Sequence, residues 1–451
     1  MNEFMRSSDA FTWAMESDPR LRSTVVTVLV LDRSPDWAEI RHRFERLSHE
    51  LPMLRQTVVQ TPPPAPPRWV DCADFDLDFH MRRVAAPADS GFDTVLESAR
   101  LAQMEDFDRA RPLWKITLIE GMPGGEAAVL CTFHHALTDG VGGVQIAMTL
   151  FGLAPELPAR DTPPTPPRRS LLGDYLDAAR YSAGLAVDAA GGVLSAVPRL
   201  LVDGVRSPVA TVVSAAELAT SVYRTVRPVT APGSPLMTDR SLIRRLDVLE
   251  VPMPRLRDAA HRSGGALNDA FVAGVAGGVR HYHDKHGVGV GALHITMPIS
   301  LRADGDGPGG NRITLMRFDI PADVADPVER IGRIHERTER VRNERSLPHT
   351  QLIAGVLNQV PRWYIGSVLR HVDFVASDVP GIPVPVTLGG AKVRMQYAFG
   401  PTIGAAVNVT LLTYVDTCAL GIDADSAAIP DLDVFVECLR SGFDEVLALA
   451  D

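Results

Sequence analysis

The stretch that most constrains this chain is a strand, a turn and a helix written in direct succession. Residues 127–133 (AAVLCTF) are apolar but for one threonine, with the length and β-branched content of a buried strand. His134, His135, Ala136, Leu137, Thr138, Asp139 and Gly140 follow, and Gly140 opens an apolar run of helical length to Leu153. Two histidines and an aspartate therefore sit where the chain changes direction and side chains can reach a cleft. Neighbouring residues on a strand face opposite sides, so His134 and His135 cannot both meet one substrate. One serves structure, the other chemistry.

A single histidine suffices for acyl transfer. An imidazole titrates near neutrality, takes a proton from a hydroxyl as it attacks an acyl carbon, and returns it to the leaving group. The chain has no G-x-S-x-G elbow, and its four cysteines (72, 131, 418, 438) are scattered, so no nucleophile for an acyl-enzyme is visible. Direct transfer between two bound substrates is the natural reading. Packing is the competing reading for such a pair taken alone.

Other chemistries find little support. The His134–His135 pair lacks the H-x3-H spacing that sets two metal ligands on one helical face. His281, His283 and His286 do not converge at about 100° per residue, and read as a solvated helix end. No metal is expected. The glycines at 287, 289 and 291 follow a helix and precede a strand, the reverse of a dinucleotide fingerprint, and there is no P-loop.

A chain of 451 residues suggests two domains. With 45% hydrophobic residues it reads as globular, and a net charge of −10 argues against a nucleic-acid partner. An anionic co-substrate stays compatible, because local arginines can hold phosphates on an acidic protein. Unpaired cysteine spacing fits a reducing cytoplasm, and residues 1–22 are too charged for a secretory signal. Residues 395–415 carry no charge but hold Gln396, Gly400, Pro401, Gly404 and Asn408, and read as buried strands.

Along the chain, residues 25–31 are a strand candidate, and Trp37, Ile40, Phe44, Leu47 and Leu51 mark one helical face. A proline-rich loop at 62–67, a helix near 94–105, a strand at 114–119 and a turn at 121–125 lead to the histidines. Prolines between 155 and 169 break the pattern. Residues 171–226 read as Ala-rich amphipathic helices, either a packed crossover or an interfacial membrane anchor. A second α/β unit begins near 236. There Asn268 or Asp269 is positioned to cap a helix over 270–281, residues 293–297 read as a strand, and Leu432, Phe435, Leu439, Phe443 and Val446 mark a terminal helix.

The stretch from His134 to Gly140 resembles the HHxxxDG motif of the wax ester synthase/acyl-CoA:diacylglycerol acyltransferase family, similar in fold to chloramphenicol acetyltransferase, the BAHD acyltransferases and peptide-synthetase condensation domains. Further elements fall in the family's order. Pro112-Leu113-Trp114 resembles its PLW element, Leu267-Asn268-Asp269 its ND element, and Pro298-Ile299-Ser300-Leu301-Arg302 its P-x-S-L-R element. Gly310-Asn311 resembles a GN element of the wider superfamily. Ser377-Asp378-Val379-Pro380-Gly381 resembles S-N-V-P-G, departing at Asp378.

The resemblance implies an α/β (α+β) fold of two chloramphenicol acetyltransferase-like domains, with mixed sheets flanked by helices and an active-site channel at their interface. It implies an N-terminal acyltransferase domain over 1–160, a proline-rich linker with crossover helices over 161–235, and a C-terminal acyltransferase-like domain over 236–451. His135 becomes the general base, supported by His134, Asp139, Gly140, Asn268 and Arg302, with Arg302 the expected partner of Asp139 and Asn268 a candidate oxyanion donor. Asn311 and Ser377 become candidate substrate contacts. The implied co-substrate is a coenzyme A thioester, acyl-CoA, with no bound cofactor, and the acceptor is a lipid hydroxyl such as diacylglycerol or a fatty alcohol. A cytoplasmic enzyme, peripheral to the inner face of a membrane or to lipid droplets, is the expected setting. A polar or carrier-bound substrate, or a non-catalytic lipid-binding homologue, stands as the alternative.

Overall fold

Strands β2 (Thr24–Leu31) and β7 (Ala127–His134) form the centre of the N-terminal sheet, paired antiparallel with Val28 opposite Leu130. Their alternation feeds two cores. Leu29, Leu31, Val129 and Cys131 join one cluster, and Val26, Val28, Ala128 and Leu130 join another on the opposite face. This is why β7 reads as a continuous apolar run rather than an alternating one. The structure, a computed structural model, describes residues 3–63, 65–87, 90–154, 172–181, 183–184, 231–300, 313–344 and 371–451.

The architecture is two-domain α/β with mixed sheets. Besides β2 and β7, the N-terminal sheet contains β5 (Met81–Ala85), β6 (Trp114–Glu120), β12 (Thr387–Leu388) and β13 (Ala391–Phe399), in the order β12-β13-β2-β7-β6-β5. The C-terminal sheet contains β8 (Arg244–Pro252), β9 (Ala292–Ser300), β10 (Ile313–Pro321), β11 (Phe374–Ile382), β14 (Val407–Tyr414) and β15 (Thr417–Asp425), in the order β10-β9-β11-β14-β15-β8. β11 runs parallel to both β9 and β14, and the other neighbours are antiparallel. A small sheet of β1 (Glu3–Phe4), β4 (Arg68–Asp71) and β3 (Gln56–Val59) lies apart.

The division at residue 236 therefore has an exception. β13 belongs to the C-terminal half by sequence, yet it pairs with β2, with Tyr397 opposite Val28. Its alternation satisfies either sheet, so only tertiary pairing decides which one it joins. Where the sheets meet, a Cβ on Gly421 of β15 would lie 2.0 Å from the carbonyl oxygen of Ala398, so only glycine permits that approach.

The helices largely follow the sequence. Helix Trp37–Glu50 begins at Asp36, whose carboxylate accepts from the Ala38 and Glu39 amides. Helix Leu267–Lys285 starts earlier than the sequence suggests, and Asp269 braces it from within. Asp269 accepts from the Ala266 amide at 2.8 Å, and from His335 Nδ1 and Thr338 Oγ1 at 2.7 Å each.

The reading of His281, His283 and His286 as a solvated helix end holds for the exposed His286 but is corrected at His283. His283 is fully buried, its Nδ1 2.8 Å from the Val279 carbonyl and its Nε2 2.8 Å from Ser234 Oγ. His281 meets Glu445 at 2.8 Å and His286 meets Asp431 at 3.2 Å. Ser234 covers His283 from outside the helix, which local periodicity left open. Among the described residues no group of side chains is arranged to hold a metal ion.

Of the 171–226 segment, only residues 172–181 and 183–184 fall within the described residues. Residues 172–181 are helical and dock on the small sheet. Arg68, itself buried, pairs with Asp174 and with Asp177 at 3.1 Å, and the Tyr181 ring lies 4.4 Å from that of Phe4. Leu172, Tyr175 and Leu176 face outward at 71%, 62% and 50% exposure.

Candidate active site

β7 ends at His134, and the strand alternation carries through the next residue. Cys131, Phe133 and His135 all line one cavity, with Val25, Thr27 and Leu29 of β2 beside them. His134 turns the other way, packed against the rings of Trp13 and Phe107 with centroids 5.3 and 6.1 Å away. The two histidines thus separate as strand geometry requires. His134 is completely buried, whereas His135 reaches the cavity.

The turn after His135 is held tightly. The His135 amide donates to the Ser23 carbonyl at 2.7 Å, extending the β2–β7 ladder by one residue, and the Leu137 amide donates to the His134 carbonyl at 2.9 Å. Asp139 caps helix Gly140–Leu150, its carboxylate accepting from the Gly142 amide at 2.9 Å. The same helix closes one side of the cavity with Val144, Ala147 and Leu150.

The opposite wall comes from the C-terminal sheet. Pro298 and Ser300 of β9, Ser377 and Val379 of β11, and Thr410 and Leu412 of β14 line the cavity. Gly140 makes this junction possible. A Cβ there would sit 2.9 Å from Val379 Cγ2, so the glycine lets the helix start against the other half of the molecule.

Burial sets the charge states. It holds the His135 imidazole below its ordinary range, against the opposing pull of Asp139 and of its own carbonyl, with His134 a smaller contributor in the same direction as burial. A neutral imidazole is the form that accepts a proton. Its Nδ1 is buried without a formed hydrogen bond among the described residues, so Nε2 is the nitrogen able to meet a substrate. Burial also pushes the Cys131 thiol up to about 12, which keeps the one cavity cysteine protonated and poorly nucleophilic. Asp378 also borders the cavity, and burial, opposed by Arg342, raises its carboxyl to about 6.

The family model for the wax ester synthase/diacylglycerol acyltransferase catalytic domain matches residues 5–271, and the model for that family's C-terminal domain matches residues 309–446. The chain belongs to this family. It is similar to a candidate diacylglycerol O-acyltransferase of Mycobacterium tuberculosis H37Rv, at 38% identity over 442 residues, covering 96% of this chain and 90% of that protein. A second such protein of the same strain is 29% identical over 451 residues, covering 94% and 92% of the two chains. Among solved structures, the wax ester synthase/diacylglycerol acyltransferase of Marinobacter aquaeolei VT8 superposes with a TM-score of 0.63 at 19% identity, over 99% of this chain and 100% of that one. The first condensation domain of the calcium-dependent antibiotic synthetase gives 0.63 at 15% identity, covering 100% and 96%. These two likenesses establish the fold.

Against the family pattern, the structure gathers His135, Asp139, Gly140 and Ser377 around one cavity. Asn268 is placed elsewhere. Its Nδ2 donates to Met297 Sδ at 3.3 Å, and it is not part of the cavity wall. Arg302 and Asn311 lie outside the described residues. Sequence reasoning missed the hydroxyls of Thr138 and Thr410 on the wall, and the buried Glu16 behind His134. Thr410 sits within a strand-like alternation that marks it only as buried or exposed, so nothing local reveals what it faces.

Proposed function

We propose that this chain transfers a long-chain acyl group from acyl-CoA to a lipid hydroxyl, diacylglycerol or a fatty alcohol, by general-base catalysis at His135. The observation that carries this reading is the His135 imidazole on the wall of a largely apolar cavity bounded by both sheets, where burial favours its neutral form. Family membership supports acyl transfer as the class of reaction. A cavity bounded by both sheets supports the expectation of a substrate channel between the two domains.

In this mechanism the acceptor hydroxyl lies against His135 Nε2, which takes its proton as the oxygen attacks the thioester carbon. The C–S bond breaks as the tetrahedral adduct collapses, and the proton passes to the departing CoA sulfur. The oxyanion needs a donor, and the hydroxyls of Thr138, Ser300, Ser377 and Thr410 border the same cavity. The apolar wall from β2 and helix Gly140–Leu150 suits an alkyl chain. Since Cys131 stays protonated, no covalent intermediate is invoked.

The deciding experiment incubates purified protein with acyl-CoA and a panel of diacylglycerol, fatty alcohol and polar acceptors while following thiol release. Thiol release that depends on a lipid acceptor is expected. Release that depends only on polar acceptors would transfer the reading to another substrate class, and no release with any acceptor would favour a non-catalytic role. With acyl-CoA alone, intact-mass spectrometry should show no acyl adduct. An adduct would replace direct transfer with a two-step route.

A peripheral lipid contact, on the cytoplasmic face of a membrane or a droplet, belongs to the same reading. No helix among the described residues is long and apolar enough to cross a membrane. Leu172, Tyr175 and Leu176 share one helical face and are exposed, as an interfacial contact requires. Changing all three to Ser should reduce co-flotation with liposomes severalfold without altering the melting temperature. Unchanged flotation would leave this helix as a brace.

A further inference from the structure

We infer that Glu16 is a positioning residue for the catalytic turn, acting through the tautomer of His134 and the backbone of Ser23. This rests on the reading of His135 as the base and deepens it.

The geometry is a closed chain of contacts behind the cavity. Glu16 follows helix Ser7–Met15, and its side chain is only 5% exposed. One carboxylate oxygen, Oε1, accepts from the Ser23 amide at 2.9 Å. The other, Oε2, lies 3.1 Å from His134 Nε2, within ion-pair distance. Ser23 passes its side of the connection onward, because its carbonyl accepts from the His135 amide at 2.7 Å. His134 passes on the other, because its Nδ1 accepts from the Ala136 amide at 3.0 Å. Two paths thus run from one carboxylate to the peptide groups on either side of the His135 side chain.

These contacts fix the protonation pattern. An Nδ1 that accepts a backbone N–H carries no proton, so a neutral His134 has its proton on Nε2, facing Glu16. The position therefore needs two acceptors, one for Ser23 N–H and one for His134 Nε2–H. A carboxylate offers both: Oε1 accepts from Ser23, and Oε2 stands 3.1 Å from a His134 Nε2 that forms no aligned hydrogen bond among the described residues. Burial works to raise the Glu16 carboxyl, yet the His134 contact, the Ser23 amide and Arg22 together outweigh it and hold the group below its ordinary value, so it is ionised at neutral pH.

Glutamine is nearly the same shape but has a single acceptor oxygen. If that oxygen stays on Ser23, the amide NH2 confronts His134 Nε2–H, donor against donor. His134 escapes by moving its proton to Nδ1, which then confronts the Ala136 amide. Either way the mismatch lands on the turn that aims His135. Displacements of this kind lower turnover without touching substrate binding.

The test combines spectroscopy and kinetics on the full chain. In 15N-histidine NMR, with His134 assigned by its loss in His134→Ala, the wild type should show the Nε2–H tautomer. Glu16→Gln should shift or mix that tautomer and lower kcat by about 10- to 100-fold with KM nearly unchanged. Glu16→Asp, which keeps two acceptor oxygens, should recover part of the loss and guards against a Gln variant that fails to fold. In a His134→Ala background, Glu16→Gln should cost much less than it does alone. An unchanged tautomer in Glu16→Gln, or an undiminished cost in the double variant, would overturn the inference. Failure of the acyl-transfer reading looks different: His135→Ala would retain turnover while the tautomer response to Glu16→Gln persists.

Discussion

Two regions of this molecule concentrate histidine, the turn at 134–135 and the helix end at 281–286, and they use the same burial for opposite ends. Burial holds both the His135 and the His283 imidazoles below their ordinary range. His283 has both ring nitrogens occupied, by Val279 and Ser234, and does not line the cavity that His135 lines. His135 instead lines an apolar cavity, with its Nδ1 buried and without a formed hydrogen bond among the described residues. Suppressed charge therefore does not by itself mark a catalytic histidine. What separates the two rings is that His135 stands on a cavity wall, the setting in which a shifted imidazole is a candidate for chemistry.

The sharpest way to break this comparison is to remove each ring in turn. His135→Ala should reduce acyl transfer by roughly two to four decades with little change in fold, whereas His283→Ala should leave kcat within a few-fold. Steady-state thiol release on the two variants decides it. Comparable losses from both would mean that the cavity criterion fails.

Stability should show the reverse order. His283→Ala removes the ring's contacts with Ser234 Oγ and the Val279 carbonyl and leaves a cavity at a fully buried site, at a cost of about 2 kcal/mol in chemical denaturation. The pH dependence has a defined sign. The unfolded chain binds a proton near pH 6.5 and the folded His283 only at lower pH, so its contribution is present above that value and lost as pH falls. His283→Gln should flatten the fall in stability between pH 7 and 5. An unchanged slope would show that His283 ionises as readily folded as unfolded.

A smaller effect sharpens the contrast at the cavity itself. Asp378 is half-buried at the wall, with its carboxyl raised to about 6 by burial, so its ionisation opposes folding. Asp378→Asn should therefore stabilise the chain above pH 6 by about 1–2 kcal/mol, discounted for partial exposure, and the gain should fade toward pH 4. A gain independent of pH would assign the effect to packing.

Much of this is legible in the sequence. The strand, turn and helix around His134–Gly140 follow from an apolar run, a polar break with two histidines, and a second apolar run opened by Gly140. All of these are local signals. Opposed facing of the two histidines follows from pleat geometry alone. What stayed hidden depends on partners distant along the chain. Glu16 sits in a charged N-terminal stretch and reads as surface until the β2–β7 pairing brings His134 to it. His283 reads as solvated until Ser234 covers it. Asn268, chosen for its place in a two-residue element, turns instead toward Met297.

The placement of β13 beside β2 has a consequence for biosynthesis. A ribosome delivers the N-terminal half first, yet the edge of β2 has no partner until residues 391–399 emerge. During that interval Val26, Val28 and Val30 present an uncovered, apolar strand edge, the kind of surface that pairs with other nascent chains. The N-terminal half is thus committed to waiting for the C-terminal half. Shortened versions ending near residue 235 should emerge as aggregates rather than as a smaller working domain, and the interval itself is where a chaperone would have most to protect.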